Sequence, residues 1–188
     1  MSILRTTDSF SQAYQHYCGL GAQLVKEAGD AEPSYGMAGQ LYHKNGSNGS
    51  WILLSVPNAL VRGCFAAMSE TGLELPPSGP GEGLNAHISV MRPEEIEALG
   101  GPDKITERGK SFSYRIGGLI TVNPAGWAEM SKCWMLRVHS PELQQLRRSY
   151  GLSSLPKDGK FDFHITIAVR RKGVLGRNQT GKTTEQAG

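Results

Sequence analysis

Two hydrophobic rhythms alternate along the chain. From Asp8 or Ser9, either able to cap a helix, Phe10, Ala13, Tyr14, Tyr17, Leu24, Val25 and Ala28 recur at helical spacing. Residues 29–36 read as a loop. Residues 38–44 and 50–56 read as strands joined by Asn45-Gly46-Ser47-Asn48-Gly49, a hairpin signal. Pro57 and Asn58 open a second helix with Leu60, Val61, Cys64, Phe65 and Met68 on one face and Gly72 past its end. The Pro- and Gly-rich stretch 76–83 predicts a turn-rich connector. Strands follow at 86–91, 111–122, 132–139 and 163–169, with a bend expected at Gly117-Gly118. A helical turn is expected at 93–99, its first part acidic. A longer helix starts at Ser140-Pro141-Glu142, with Leu143, Leu146 and Tyr150 inward and Arg147 and Arg148 suited to its C-terminal dipole. Beyond Gly173 apolar residues nearly vanish, so 176–188 predicts a frayed tail behind a single domain of residues 1–175. The order α-β-β-α-β-(α)-β-β-α-β predicts an α+β fold with largely antiparallel sheets.

Composition narrows the partners. The 188 residues suit one domain or two lobes sharing a core, and 24 glycines fit many short elements. Against 17 Asp and Glu stand 20 Lys and Arg, a formal charge of +3. That balance argues against a protein that coats long nucleic acid and leaves room for a small anionic ligand. No run of 18 apolar residues exists, so no membrane-spanning helix is expected, and residues 1–6 lack the apolar stretch of a leader. Cys18, Cys64 and Cys133 are widely spaced and unpaired in sequence, which suits reduced thiols in a cytoplasmic protein.

The chemistry concentrates in two segments. Ala86-His87-Ile88-Ser89-Val90 and Phe163-His164-Ile165-Thr166-Ile167 both read His-Ile-(Ser/Thr)-(Val/Ile). Side chains alternate across a strand, so His87 and Ser89 share one face, and His164 and Thr166 share one face. A register slip would bury the imidazoles and expose the Ile and Val set, so the apolar alternation turns both His-hydroxyl pairs toward a cleft. Phosphodiester cleavage needs a base for the attacking hydroxyl and an acid for the leaving oxygen, and two histidines can divide those roles near neutral pH. Hydroxyl donors two residues away can meet the charge that grows on the phosphate oxygens. Such a site needs no metal or other cofactor, and His16, His43 and His139 are scattered without ligand spacing.

With these residues the chain resembles the two-histidine (2H) phosphoesterases, which carry two His-x-(Thr/Ser) motifs related by pseudo-twofold symmetry. The likeness runs over about residues 35–172. It implies a bilobal fold, with two mostly antiparallel sheets flanking a central groove and helices outside. It also implies metal-independent action on nucleotide phosphodiesters. By position, His87 and His164 would be the acid–base pair, and Ser89 and Thr166 would hold phosphate oxygens; which histidine is base stays open. Within that superfamily the compact size and Pro124-Ala125-Gly126-Trp127 resemble phage nucleases that degrade cyclic oligonucleotide signals of bacterial CBASS defence. That closer likeness implies a small nucleotide substrate, a bacterial host cytoplasm, and aromatic side chains that hold bases. Trp127 is then either a stacking platform or a packing residue, and Tyr35 is a second aromatic candidate. Cleavage of 2′,3′-cyclic phosphate or 2′,5′-linked RNA ends, and a nucleotide-binding module without turnover, remain the alternatives.

Two further signals need weighing. Residues 176–183 match the GxxxxGK(S/T) phosphate-loop pattern. Only five residues follow Thr183, too few for the helix whose N-terminus such a loop requires, so the match is expected to be a decoy. Arg170, Arg171 and Lys172 close the last strand. Strict alternation puts Arg170 on the face of His164 and Thr166, where it is either a solvated strand end or an attractor of anionic substrate.

Overall fold

The computed structural model describes residues 5–26, 35–46, 48–77, 83–124 and 129–173. Its elements are α1 (Arg5–Lys26), β1 (Tyr35–Gly46), β2 (Gly49–Ser55), α2 (Asn58–Ala67), β3 (His87–Met91), α3 (Pro93–Ala98), a short 3-10 turn (Pro102–Lys104), β4 (Ser111–Val122), β5 (Met130–His139), α4 (Pro141–Ser149) and β6 (Phe163–Arg171). The α+β architecture is as expected. The two expected sheets, however, are joined edge to edge. All six strands form one antiparallel sheet that closes on itself in the order β1-β2-β3-β6-β5-β4.

That order is two meanders facing each other. β1-β2-β3 come from the first half and β4-β5-β6 from the second. The third strand of each meander meets its counterpart through the pair Ile88↔Ile165. The first strands meet along Tyr35↔Ile116 to Gln40↔Ser111. β1 thus starts three residues before the expected 38. Gly36, read as loop in the sequence, lies in the strand, and Gly39 is needed within it: a Cβ there would run into the Ser55 carbonyl.

One face of the sheet is apolar and covered by helices. Ile52, Leu54, Ile88, Val90, Leu136, Val138, Ile165 and Ile167 form a continuous core with Leu60, Val61 and Cys64 of α2 and Leu143 and Leu146 of α4. α1 lies on α2 at backbone distance. A Cβ on Gly63 would strike the Cys18 backbone, and the Cys18 thiol donates to the Ala59 carbonyl at 3.3 Å. α4 begins as its sequence predicts, with Ser140 Oγ accepting from the Leu143 amide at 3.2 Å and Pro141 in the first turn.

One residue of α4 departs from expectation. Arg147 is fully buried rather than solvated at the helix end. Its guanidinium donates to the Val90 carbonyl (2.6 Å), to both carboxylate oxygens of Glu95 (2.7 and 3.0 Å), and to the Ser153 and Leu155 carbonyls (2.8 and 3.1 Å). A buried cation is tolerated only when its donors are met, and here every N–H has an acceptor. The residue ties α4 to the end of β3 and to the loop that leads into β6. Among the described residues no helix is long and apolar enough to cross a membrane. The expected tail 176–188, with its match to the phosphate-loop pattern, lies outside the described residues.

Candidate active site

β3 and β6 bring the two motifs together. Both strands show the expected alternation: Ile88 and Val90, like Phe163, Ile165 and Ile167, are buried, while His87, Ser89, His164 and Thr166 are half-buried on the other face. The pair Ile88↔Ile165 fixes an antiparallel register. In that register His87 stands opposite Thr166, and Ser89 opposite His164. Directly opposed side chains have Cβ atoms about 5 Å apart, so the four polar groups form one compact quartet with twofold arrangement.

Each imidazole is held the same way. His87 Nδ1 lies 2.7 Å from the Asn85 carbonyl, and His164 Nδ1 lies 2.9 Å from the Asp162 carbonyl. A carbonyl oxygen only accepts, so Nδ1 carries the proton in both rings. Nε2 is therefore the working nitrogen: a lone pair when the ring is neutral, a donor when it is charged. The anchor sits two residues before each histidine, so the strand backbone itself sets the ring orientation.

The surroundings of the two rings differ. His87 faces Ser55 across β2. The neighbouring Asn85 side chain accepts from the Tyr42 hydroxyl at 3.2 Å. Burial lowers the His87 pKa below the ordinary 6.5; the bond to the Asn85 carbonyl opposes this, and the charges of Lys44 and His164 add to it. His164 faces Arg137 across β5, and Arg137 Nε approaches Asp162 Oδ2 at 3.9 Å, both side chains more than half exposed.

The other sequence candidates are placed as follows. Tyr35 is not brought to the quartet. It pairs with Ile116 and packs on the main core, on the helix-covered face. Its position beside Gly36 suggested a loop, and strand pairing overrides that. Arg170 is also elsewhere. Between Met135↔Thr166 and Trp134↔Ala168, β6 carries an extra residue, Ile167. This bulge shifts the alternation by one, so Ala168 joins Ile167 in the core and Arg170 leaves the face of Thr166. Its guanidinium donates to Glu70 (2.9 Å) and the Thr71 carbonyl (3.0 Å) and lies 5.2 Å from the Trp134 ring centre. Trp127 lies outside the described residues. Among the described residues, no group of three or more His, Cys, Asp or Glu gathers as a metal set. The residue sequence reasoning missed is Arg137. The His-x-(Ser/Thr) search had no reason to pick a cation on β5, and only the β5–β6 register puts it beside His164.

No match was found among curated proteins or among solved structures. A family model described as the Swiss Army Knife, 2H phosphoesterase domain matches residues 51–175, from β2 through β6. This span covers both motif strands and well over half of the chain. The twofold quartet and this match agree, and the chain belongs to the 2H phosphoesterases, a family of hydrolases acting on phosphoester bonds.

Proposed function

We propose that the protein is a metal-independent phosphodiesterase that opens a cyclic oligonucleotide messenger, with His87 as general base and His164 as general acid. The observation that supports this reading is the register Ile88↔Ile165, which sets two imidazoles and two hydroxyls on one face of two neighbouring strands. His87 takes the base role because its surroundings favour the neutral ring. Its Nε2 removes the proton of the attacking hydroxyl, a ribose 2′-OH in a 3′,5′-linked substrate. As the new O–P bond forms, charge grows on the non-bridging oxygens, where Ser89 and Thr166 donate. His164 Nε2–H then protonates the departing 5′-oxygen. The products are a 2′,3′-cyclic phosphate end and a free 5′-hydroxyl, and the histidines exchange roles for any later hydrolysis.

Three free cysteines suit a reducing compartment, so the reading places the enzyme in the cytoplasm, that of a bacterial host if a phage encodes it. In such a setting it would act in counter-defence. Incubation with 3′,3′-cyclic dinucleotides, cyclic trinucleotides and 2′,3′-cyclic mononucleotides, all in EDTA, tests it. Linear product from the cyclic oligonucleotides is the expected result. Turnover confined to 2′,3′-cyclic phosphates would assign RNA end processing instead. Tight binding without product would make the chain a nucleotide sponge, and activity abolished by chelator would end the metal-independent mechanism.

A further inference from the structure

The geometry points to a second phosphate subsite on the same face as the histidines, built by Arg137, His139 and Arg115 and leading to a pocket at the β1–β4 junction. The inference rests on the phosphodiesterase reading and extends it by naming the residues that would hold the substrate's second phosphate. Face identity follows from register. Arg137 pairs with His164. His139 stands two residues further along β5, on the face of Arg137. Arg115 pairs with His139, and Gly36 pairs with Arg115. No irregularity falls between these pairs, because the β4 bulge begins only after Ile116. One cross-strand step from His164 thus reaches a guanidinium; a two-residue step of about 7 Å along β5 reaches His139, and a second cross-strand step of about 5 Å reaches Arg115. The long arms of the two arginines bring these positions within reach of a phosphate next to the scissile one.

Both arginines are available. Arg137 meets Asp162 only at 3.9 Å across solvent, and among the described residues no hydrogen bond or ion pair holds Arg115. Beyond them lies an open pocket of about 590 Å³ whose lining includes Gly36, Ala38, Ser113, Arg115, His139 and Glu142. Its size falls in the range of small-molecule sites. Gly36 and Ala38 bring almost no side chain, so a sugar and base attached to the second phosphate have room there. Guanidinium forks match phosphate oxygens in bidentate fashion, which suits this pair of arginines to that group.

The test compares a 3′,3′-cyclic dinucleotide, with two phosphates, against a 2′,3′-cyclic mononucleotide, with one. In Arg115→Gln the ratio of their kcat/KM values falls at least about tenfold. The salt dependence of log kcat/KM for the dinucleotide also becomes shallower, by roughly 0.7 for the lost phosphate contact. Arg137→Gln moves the ratio the same way. A ratio within about twofold of the unsubstituted protein, with the salt slope unchanged, overturns the subsite. Should the protein cleave neither compound, the activity reading fails separately. The subsite is then read by calorimetric titration of a linear dinucleotide carrying two phosphates. A fivefold or greater loss of affinity in Arg115→Gln upholds it, and equal affinity overturns it.

Discussion

His87 and His164 lean their Nδ1 atoms on the same backbone carbonyl two residues back, yet their neighbours differ. In the first half that preceding residue is Asn85, its amide held by Tyr42, and the imidazole is crowded and faces Ser55. In the second half it is Asp162, loosely met by Arg137, in an open stretch of the sheet. Ring orientation is thus a property of the strand and is copied in both halves. The surroundings of each ring are set by the adjoining strands and are not copied. A pseudo-twofold site can in this way be symmetric in geometry and still offer its two rings different neighbours.

The largest effects should come from removing either ring. His87→Ala and His164→Ala each lower kcat by at least about a hundredfold, the usual contribution of a positioned acid or base, and the double variant is no worse than about tenfold below the poorer single one. Steady-state assay decides it: near-normal turnover in either variant would remove that histidine from the chemistry. Next is the brace common to both halves. Arg147→Met leaves Glu95 and three carbonyls without their donor, and should cost about 3–5 kcal/mol in urea unfolding. A loss below about 1 kcal/mol would show that the two motif strands hold their places without it. Smaller again are the hydroxyls. Ser89→Ala and Thr166→Ala should each reduce kcat by about tenfold with KM little changed, since their donors matter most as charge develops. An effect confined to KM would make them ground-state contacts.

Much of this was legible in the sequence because the signals were local. The apolar alternation around His87 and His164 fixed which face is buried, and Ser140-Pro141 announced α4 at its true start. What was not legible depends on contacts between distant segments. The bulge at Ile167 moves Arg170 away from Thr166, and no local pattern in an all-apolar run marks an inserted residue. Tyr35 reads as a loop aromatic until the pairing with Ile116 makes it part of a strand packed on the core. Arg147 looks like any cation at a helix end, and its burial follows from Glu95 and three carbonyls supplied by other elements. Closure of the two sheets into one depends on the Ile88↔Ile165 and Tyr35↔Ile116 pairs, which join segments about 80 residues apart.

The smallest effect bears most directly on the division of labour. In the unfolded chain His87 takes up a proton near 6.5, whereas in the folded chain burial and the nearby Lys44 and His164 lower that value. Above 6.5 the ring is neutral in both states and contributes nothing to the pH dependence of stability. As the pH falls through 6.5 toward the folded value the unfolded state binds more protons, so stability declines. Below the folded value the decline levels off. The unsubstituted protein should therefore lose more stability between pH 7 and pH 5 than His87→Ala does, measured as urea midpoints at the two pH values. For the same reason the acid limb of kcat/KM, which reports the free enzyme's base, should fall below pH 6.5. An acid limb above 6.5, or an equal loss of stability in the variant, would mean that His87 is not the neutral partner and that the base role belongs to His164.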